Sequence, residues 1–172
     1  ATMLSGETAI GSYANEAVET MQKVIDASET HLHKEIENDK LDFTITTPKA
    51  ISSVIPVLCR TLPITKIIAI TRSGYAARMI ATHRLKQPVL AVSDDETAAR
   101  SFNLIGGTTG VYSKSSFSKE STDHIKKVLK MLWKMELIKK DDHVLITGIS
   151  YPSNGTRMNT IQIHEISNLI NS

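Results

Sequence analysis

Cysteine is almost absent: Cys59 is the single one in 172 residues, so no internal disulfide can staple the fold and a reducing compartment suits the chain. Aromatic residues are scarce at 5%, which argues against a surface built to stack bases. Charge of either sign is not in excess. Twenty basic against 18 acidic residues leave a formal net charge of +2, which makes no electrostatic case for a nucleic acid or a membrane as partner. No apolar run approaches the length that spans a bilayer, and the first residues lack the charged start and apolar centre of a secretory signal. These absences lead us to expect a cytoplasmic protein. What is present, 41% hydrophobic and 22% charged residues, suits a globular domain long enough to bury a core unaided.

Familiar catalytic arrangements are missing too. No Ser-His-Asp pattern, no paired catalytic carboxylates and no metal-ligand spacing emerges, so metal ligands are expected to be none. Asp94, Asp95 and Glu96 cluster at a helix start, where the helix dipole accounts for them without a metal.

The stretch Thr71-Arg72-Ser73-Gly74-Tyr75-Ala76 is the most suggestive part of the chain. Before it, Lys66-Ile67-Ile68-Ala69-Ile70 is the kind of short β-branched run that makes a buried parallel strand. After it, Ala76, Ala77, Met79, Ile80 and His83 fall at helical spacing. A strand-to-helix turn leaves backbone N–H groups unpaired at the sheet's carboxyl edge, a place that favours anions. Thr71 and Ser73 add hydroxyls, Gly74 permits close approach, and Arg72 and Arg78 could supply charge-assisted bonds to phosphate.

Around this turn the pattern is that of an α/β domain. An amphipathic helix is expected from an Asn15 cap to about Leu32, and another from a Thr47 cap, with Pro48 first in the helix, Pro56 kinking it, and Ile51, Val54, Ile55, Leu58 and Leu62 facing inward. Cys59 reads as a small buried hydrophobe on that helix. Pro88–Val92 makes a second strand. Ser93 and Glu96 have the spacing of a capping box opening a helix to roughly Leu104. Gly106–Tyr112 is a glycine-rich turn entering a short strand, and without a following Gly-Lys-Ser/Thr it is not a P-loop. Ile125, Val128, Leu129, Leu132 and Met135 mark a long amphipathic helix, with Trp133 either at the core edge or in an interface. His143–Thr147 and Asn159–Ile166 are further strands, joined by a loop rich in hydroxyl and amide side chains. The expected fold is a three-layer α/β/α domain on a mostly parallel sheet of about five strands with the last antiparallel, preceded by a helical segment. Unaided, the residues read as a ligand-binding α/β domain.

Several blocks resemble one family. Met3-Leu4-Ser5-Gly6-Glu7-Thr8-Ala9-Ile10-Gly11, with Tyr13 and Glu16-Ala17-Val18, is similar to the last strand, loop and helix of the catalytic barrel of pyruvate kinase. Thr71-Arg72-Ser73-Gly74 with Ala77-Arg78, then Pro88–Val92, then Asn159-Thr160, resemble that family's C-terminal domain, in the family's order and over essentially the whole chain. The resemblance implies that residues 1–34 are the end of a β/α barrel and 35–172 the C-terminal α/β domain. It further implies a full-length enzyme moving phosphoryl from phosphoenolpyruvate to ADP with Mg²⁺ and K⁺, whose metal-binding carboxylates and catalytic lysine precede this stretch. The chain alone is then expected to be inactive and to hold no cofactor, with Ser5, Gly6 and Glu7 lying near the parent's active site.

In that family the C-terminal domain takes part in assembling a homotetramer and in many members binds a phosphorylated effector. The resemblance maps the phosphate loop onto Thr71, Arg72, Ser73, Gly74, Tyr75 and Ala76, and a second effector loop onto Gly148, Ser150, Ser153, Asn154, Gly155 and Thr156. This sequence departs where binders of fructose 1,6-bisphosphate typically carry a hydroxyl, here Ala76, and a basic residue, here Tyr75. His124 falls where some members have an effector-binding arginine. Fewer ligands and less positive charge disfavour a doubly phosphorylated ligand more than a singly phosphorylated one. The expected partners are therefore a sugar or nucleotide monophosphate and further copies of the chain. A free-standing phosphate-ester module and a purely structural assembly domain with an empty site stay open as alternatives.

Overall fold

The computed structural model describes residues 2–32, 46–117, 123–149 and 158–170. The chain divides into two compact units, Ala1–Lys40 and Leu41–Ser172.

In the first unit, residues 2–5 run without regular structure into α1 (Gly6–Ala9), and a short turn leads to α2 (Ala14–Leu32). The apolar stripe of α2 is only half covered at Ala17, Met21 and Ile25, while Val18 and Val24 are open to solvent. Among the described residues, no buried hydrophobic belongs to this unit.

The second unit opens with α3 (Thr47–Thr61), followed by β1 (Lys66–Ile70), α4 (Tyr75–Ala81), β2 (Val89–Ser93), α5 (Glu96–Phe102) and β3 (Thr108–Tyr112). Then come α6 (Asp123–Lys134), β4 (His143–Gly148), β5 (Thr160–Glu165) and α7 (Ile166–Ile170). The strands form one five-stranded sheet in the order β3-β2-β1-β4-β5. β1 is the middle strand, parallel to β2 (Ile68↔Leu90) and to β4 (Ile68↔Ile146), and β5 alone runs antiparallel, against β4 (Ile146↔Gln162). A strand covered on both faces must be largely apolar, which is why β1, β2 and β4 are built on the runs Ile67–Ile70, Val89–Val92 and Val144–Ile146.

Two cores result, one on each face. Ile68, Ile70, Leu90, Val92 and Ile146 pack with Val128, Leu129 and Leu132 of α6. On the other face Ile67, Ala69, Ala91 and Leu145 pack with Ile55, Ala76, Ala77, Ile80 and Phe102 from α3, α4 and α5. The architecture is the three-layer α/β fold with an antiparallel last strand that the sequence predicts.

Local expectations needed correction. On α3 the buried side chains are Ser52, Ile55 and Pro56, whereas Val54 and Leu62 are 43% and 40% exposed. Apolar residues occupy more than half of this helix's circumference, so periodicity alone did not fix which side faces in. Its cap is Thr46 rather than Thr47, without a side-chain bond. The capping box is also absent. Ser93 ends β2, and Asp95 caps α5 by accepting the Ala98 N–H at 2.7 Å. The neighbouring acids have other work: Asp94 pairs with Arg72, and Glu96 with Arg100 one turn on. Met135, placed on the inner face of α6, lies beyond its last residue and is 52% exposed. Trp133 is exposed, at 39%.

At the amino edge of the sheet one carboxylate joins three segments. Asp142, 8% exposed, accepts the Thr65 hydroxyl at 2.7 Å, the Lys66 ammonium at 2.5 Å and the Lys139 N–H at 2.7 Å. Its backbone carbonyl takes the Ile166 N–H at 3.0 Å, so the start of α7 is held there too.

Candidate functional site

The residues Thr71–Ala76 lie at the carboxyl end of the middle strand. On one side of β1 the chain proceeds to β2 and on the other it lies against β4, so this is where strand order reverses, the usual place for ligands in an open α/β sheet. The Thr71 N–H donates to Val92 at 2.9 Å, extending the β1–β2 ladder by one residue. Its side chain is 8% exposed, and among the described residues its hydroxyl has no hydrogen-bond partner. The backbone N–H groups of Arg72, Ser73 and Gly74 likewise meet no acceptor among the described residues. Consecutive free N–H groups in a turn make a concavity that suits an anion.

Gly74 is required twice over. Its φ is +73°, and a Cβ there would stand 2.6 Å from the Phe102 ring. The turn is thereby seated on α5. The Arg78 guanidinium closes over it, donating to the Ser73 carbonyl at 2.5 Å. Ser73 is exposed and Tyr75 half-buried, but Ala76 is fully buried among α4's core contacts. Position 76 therefore has no side-chain atom to give a ligand.

Arg72 is engaged from the side. Its Nε lies 2.9 and 3.0 Å from the two oxygens of Asp94, and its Nη2 lies 2.6 Å from one of them. Nη2 also contacts Ser116 Oγ at 3.4 Å and the Phe117 carbonyl at 3.2 Å, while the Phe117 N–H donates to Asp94 at 3.0 Å. Burial pushes the Asp94 carboxyl up, but the Arg72 and Phe117 bonds and the Arg72 charge outweigh it and hold the group below the ordinary carboxylate value. The hydrogen bonds from Arg72 to Asp94 raise the guanidinium's own value, against burial. Sequence reading missed this pair. The pair follows from strand register: continuing the Ile70↔Val92 pairing by two residues sets Arg72 beside Asp94.

Gly148 ends β4 beside the same turn. A Cβ on it would sit 2.8 Å from the Ile70 carbonyl, so the glycine lets the two strand ends approach. Ser150, Ser153, Asn154, Gly155 and Thr156 lie outside the described residues. His124 is 4% exposed and its ring leans on Phe117 with centroids 5.7 Å apart, a packing position. Ser5, Gly6 and Glu7 are exposed in the first unit, where the Glu7 carboxylate accepts the Ser5 N–H at 3.4 Å.

Two other features have the look of sites without the chemistry. Ser52 Oγ is 2.8 Å from His83 Nε2 and 3.2 Å from the Met79 carbonyl, but Ser52 is 1% exposed, so the pair joins α3 to α4 and is closed to any substrate. A groove of about 530 Å³ along α2, lined by Leu4, Tyr13, Ala17, Met21 and Val24, is open and apolar, unsuited to phosphate. Among the described residues no three His, Cys, Asp or Glu side chains converge as a metal-holding group. No helix there is long and apolar enough to cross a membrane.

Residues 49–164 match the family model described as the pyruvate kinase alpha/beta domain. The chain belongs to the pyruvate kinase family. The pyruvate kinase of Geobacillus stearothermophilus is 33% identical over 174 residues, a match covering 99% of this chain and 29% of that protein. That of Agrobacterium vitis is 31% identical over 175 residues, covering 98% of this chain and 36% of its own length. The chain thus spans about a third of the curated pyruvate kinases it matches. A solved pyruvate kinase from Cryptosporidium parvum superposes with a TM-score of 0.72 at 24% identity, over 95% of this chain and 32% of that one, which supports the fold.

Proposed function

We propose that the chain is the C-terminal regulatory and assembly domain of a cytoplasmic pyruvate kinase, and that the turn Thr71–Ala76 takes a singly phosphorylated sugar or nucleotide. The observation that carries this reading is the Thr71 hydroxyl and three consecutive N–H groups, all without a partner among the described residues, at the switch point of a pyruvate kinase alpha/beta domain. Phosphate oxygens would accept from Thr71, Ser73 and those N–H groups. Tyr75 and Ala76 give such a ligand neither a cation nor a hydroxyl at position 76, which fits one phosphate better than two.

The parent enzyme would transfer phosphoryl from phosphoenolpyruvate to ADP, and Mg²⁺ and K⁺ would supply charge neutralisation and orientation in its barrel. In this reading the groups that hold those ions and carry the chemistry precede this chain, and the part proposed for the chain is regulatory. Its contribution would be a population shift. A phosphate closing the turn and the loop after β4 together favours one arrangement of a homotetramer, and such coupling is typically about 1–3 kcal/mol.

Calorimetric titration with fructose 1,6-bisphosphate, ribose 5-phosphate, glucose 6-phosphate and AMP tests the site. One monophosphate is expected to bind, and Thr71→Ala to weaken it by roughly 10- to 100-fold, the loss of one hydrogen bond to a charged group. Silence from all four ligands, or tight binding of the bisphosphate that Thr71→Ala leaves intact, overturns the reading.

A further inference from the structure

We propose that Asp94 is an internal counter-anion that sets which ligands the turn accepts, holding the Arg72 guanidinium in the fork that a ligand's phosphate would otherwise take. This rests on the effector-site reading above and concerns the regulation of that same site. The geometry is that of a carboxylate standing in for an oxyanion. Both Asp94 oxygens face Arg72 Nε at 2.9 and 3.0 Å and one faces Nη2 at 2.6 Å, a forked arrangement that arginine offers equally to carboxylate and to phosphate. The other acids nearby are occupied elsewhere, Asp95 on the Ala98 N–H and Glu96 on Arg100, so Asp94 is the one that reaches the turn.

Exposure shows how exchange could occur. The Arg72 side chain is 55% exposed and the Asp94 side chain 11%, so the guanidinium is open to an incoming anion while the carboxylate stays anchored by the Phe117 N–H at 3.0 Å. An ion pair this open to water is weakly held, and a phosphate can compete for it. With Asp94 charged, Arg72 offers the turn no net positive charge, and Arg78 is the cation that remains beside Ser73. A ligand bearing one phosphate finds enough, and one bearing two does not. The same exchange would free Asp94's hold on Arg72 while the post-β3 loop, touched by Arg72 at Ser116 and Phe117, loses that tie.

The test measures dissociation constants for inorganic phosphate, ribose 5-phosphate and fructose 1,6-bisphosphate by calorimetry on the wild-type chain, Asp94→Asn, Arg72→Ala and the double variant. Asp94→Asn is expected to bind phosphate about tenfold tighter and the bisphosphate by a larger factor, and the gain is expected to vanish when Arg72→Ala is also present. Thermal melting checks that each variant folds, and Asp94→Ser replaces Asp94→Asn should that variant melt early. Binding by Asp94→Asn where the wild type is silent supports the counter-anion role. Wild-type binding that Asp94→Asn does not tighten, or a gain that persists without Arg72, overturns the inference and leaves the effector site standing. Silence from the wild type and every variant overturns both.

Discussion

Removing the Asp142 carboxylate should destabilise the second unit measurably without touching the turn after β1. Asp142→Ala removes the 2.7 Å acceptor of the Lys139 N–H and of the Thr65 hydroxyl, and since both residues are exposed and can turn to water each lost bond costs about 0.5–1.5 kcal/mol. Lys66, with 21% of its side chain exposed, rehydrates on losing its partner and adds less than about 1 kcal/mol. The sum, about 1–4 kcal/mol, is a sizeable part of the roughly 5–15 kcal/mol that folds a domain. Urea unfolding followed by circular dichroism should show the midpoint fall at unchanged slope. The pH dependence gives an independent sign. Burial pushes Asp142 up, but the bonds from Lys66, Thr65 and the Lys139 N–H outweigh it, so its folded value lies below its unfolded one. Stability from such a group is fully present above the unfolded value, about 3.9, and is lost as pH falls through the folded one. The gap between wild type and Asp142→Asn should therefore hold constant from pH 7 to pH 5 and narrow below about pH 4. A gap under about 1 kcal/mol at pH 7, or one that does not narrow in acid, refutes the reasoning.

Gly110→Ala should destabilise by at least about 3 kcal/mol, since its Cβ would meet the Ala99 carbonyl oxygen at 1.8 Å, a backbone atom of α5 that no rotamer change can move; thermal melting checks this. Cys59 should resist thiol reagents in the folded chain. Desolvation outweighs the nearby Arg60 and pushes its pKa up to about 11, so labelling at pH 8 should run roughly a hundredfold slower than for a free thiol and quicken about tenfold per pH unit. Labelling at the free-thiol rate without unfolding would contradict that desolvation.

What the sequence made legible follows from its physics. The expected strands 66–70, 88–92 and 143–147 are observed at 66–70, 89–93 and 143–148, because strands buried on both faces are forced into apolar runs that nothing else in the chain imitates. The turn between β1 and α4 was legible for a related reason: a glycine beside hydroxyls after such a run has few other uses. Facing on α3 was legible in part: Ile51, Ile55 and Leu58 pack inward as expected, whereas Ser52 is buried through His83 and Met79, partners from outside the helix. The Arg72–Asp94 pair spans 22 positions and depends on strand register, which a linear reading does not fix. The second effector loop beyond Ile149 lies outside the described residues, so Gly148 alone of its members can be compared.

The middle strand carries different duties at its two ends. Its amino end is bound into the Asp142 knot, which ties together Thr65, Lys66, Lys139 and, through the backbone, Ile166. Its carboxyl end opens into a turn whose Thr71 hydroxyl and three N–H groups hold nothing up among the described residues. Five residues of strand, roughly 17 Å, separate the two. Substitution of the exposed Ser73 side chain can therefore be sampled at little cost to folding, whereas Gly74 and Ala76 are committed to packing. Such a division makes the domain evolvable: the turn can change its surface chemistry while the scaffold beneath it stays intact.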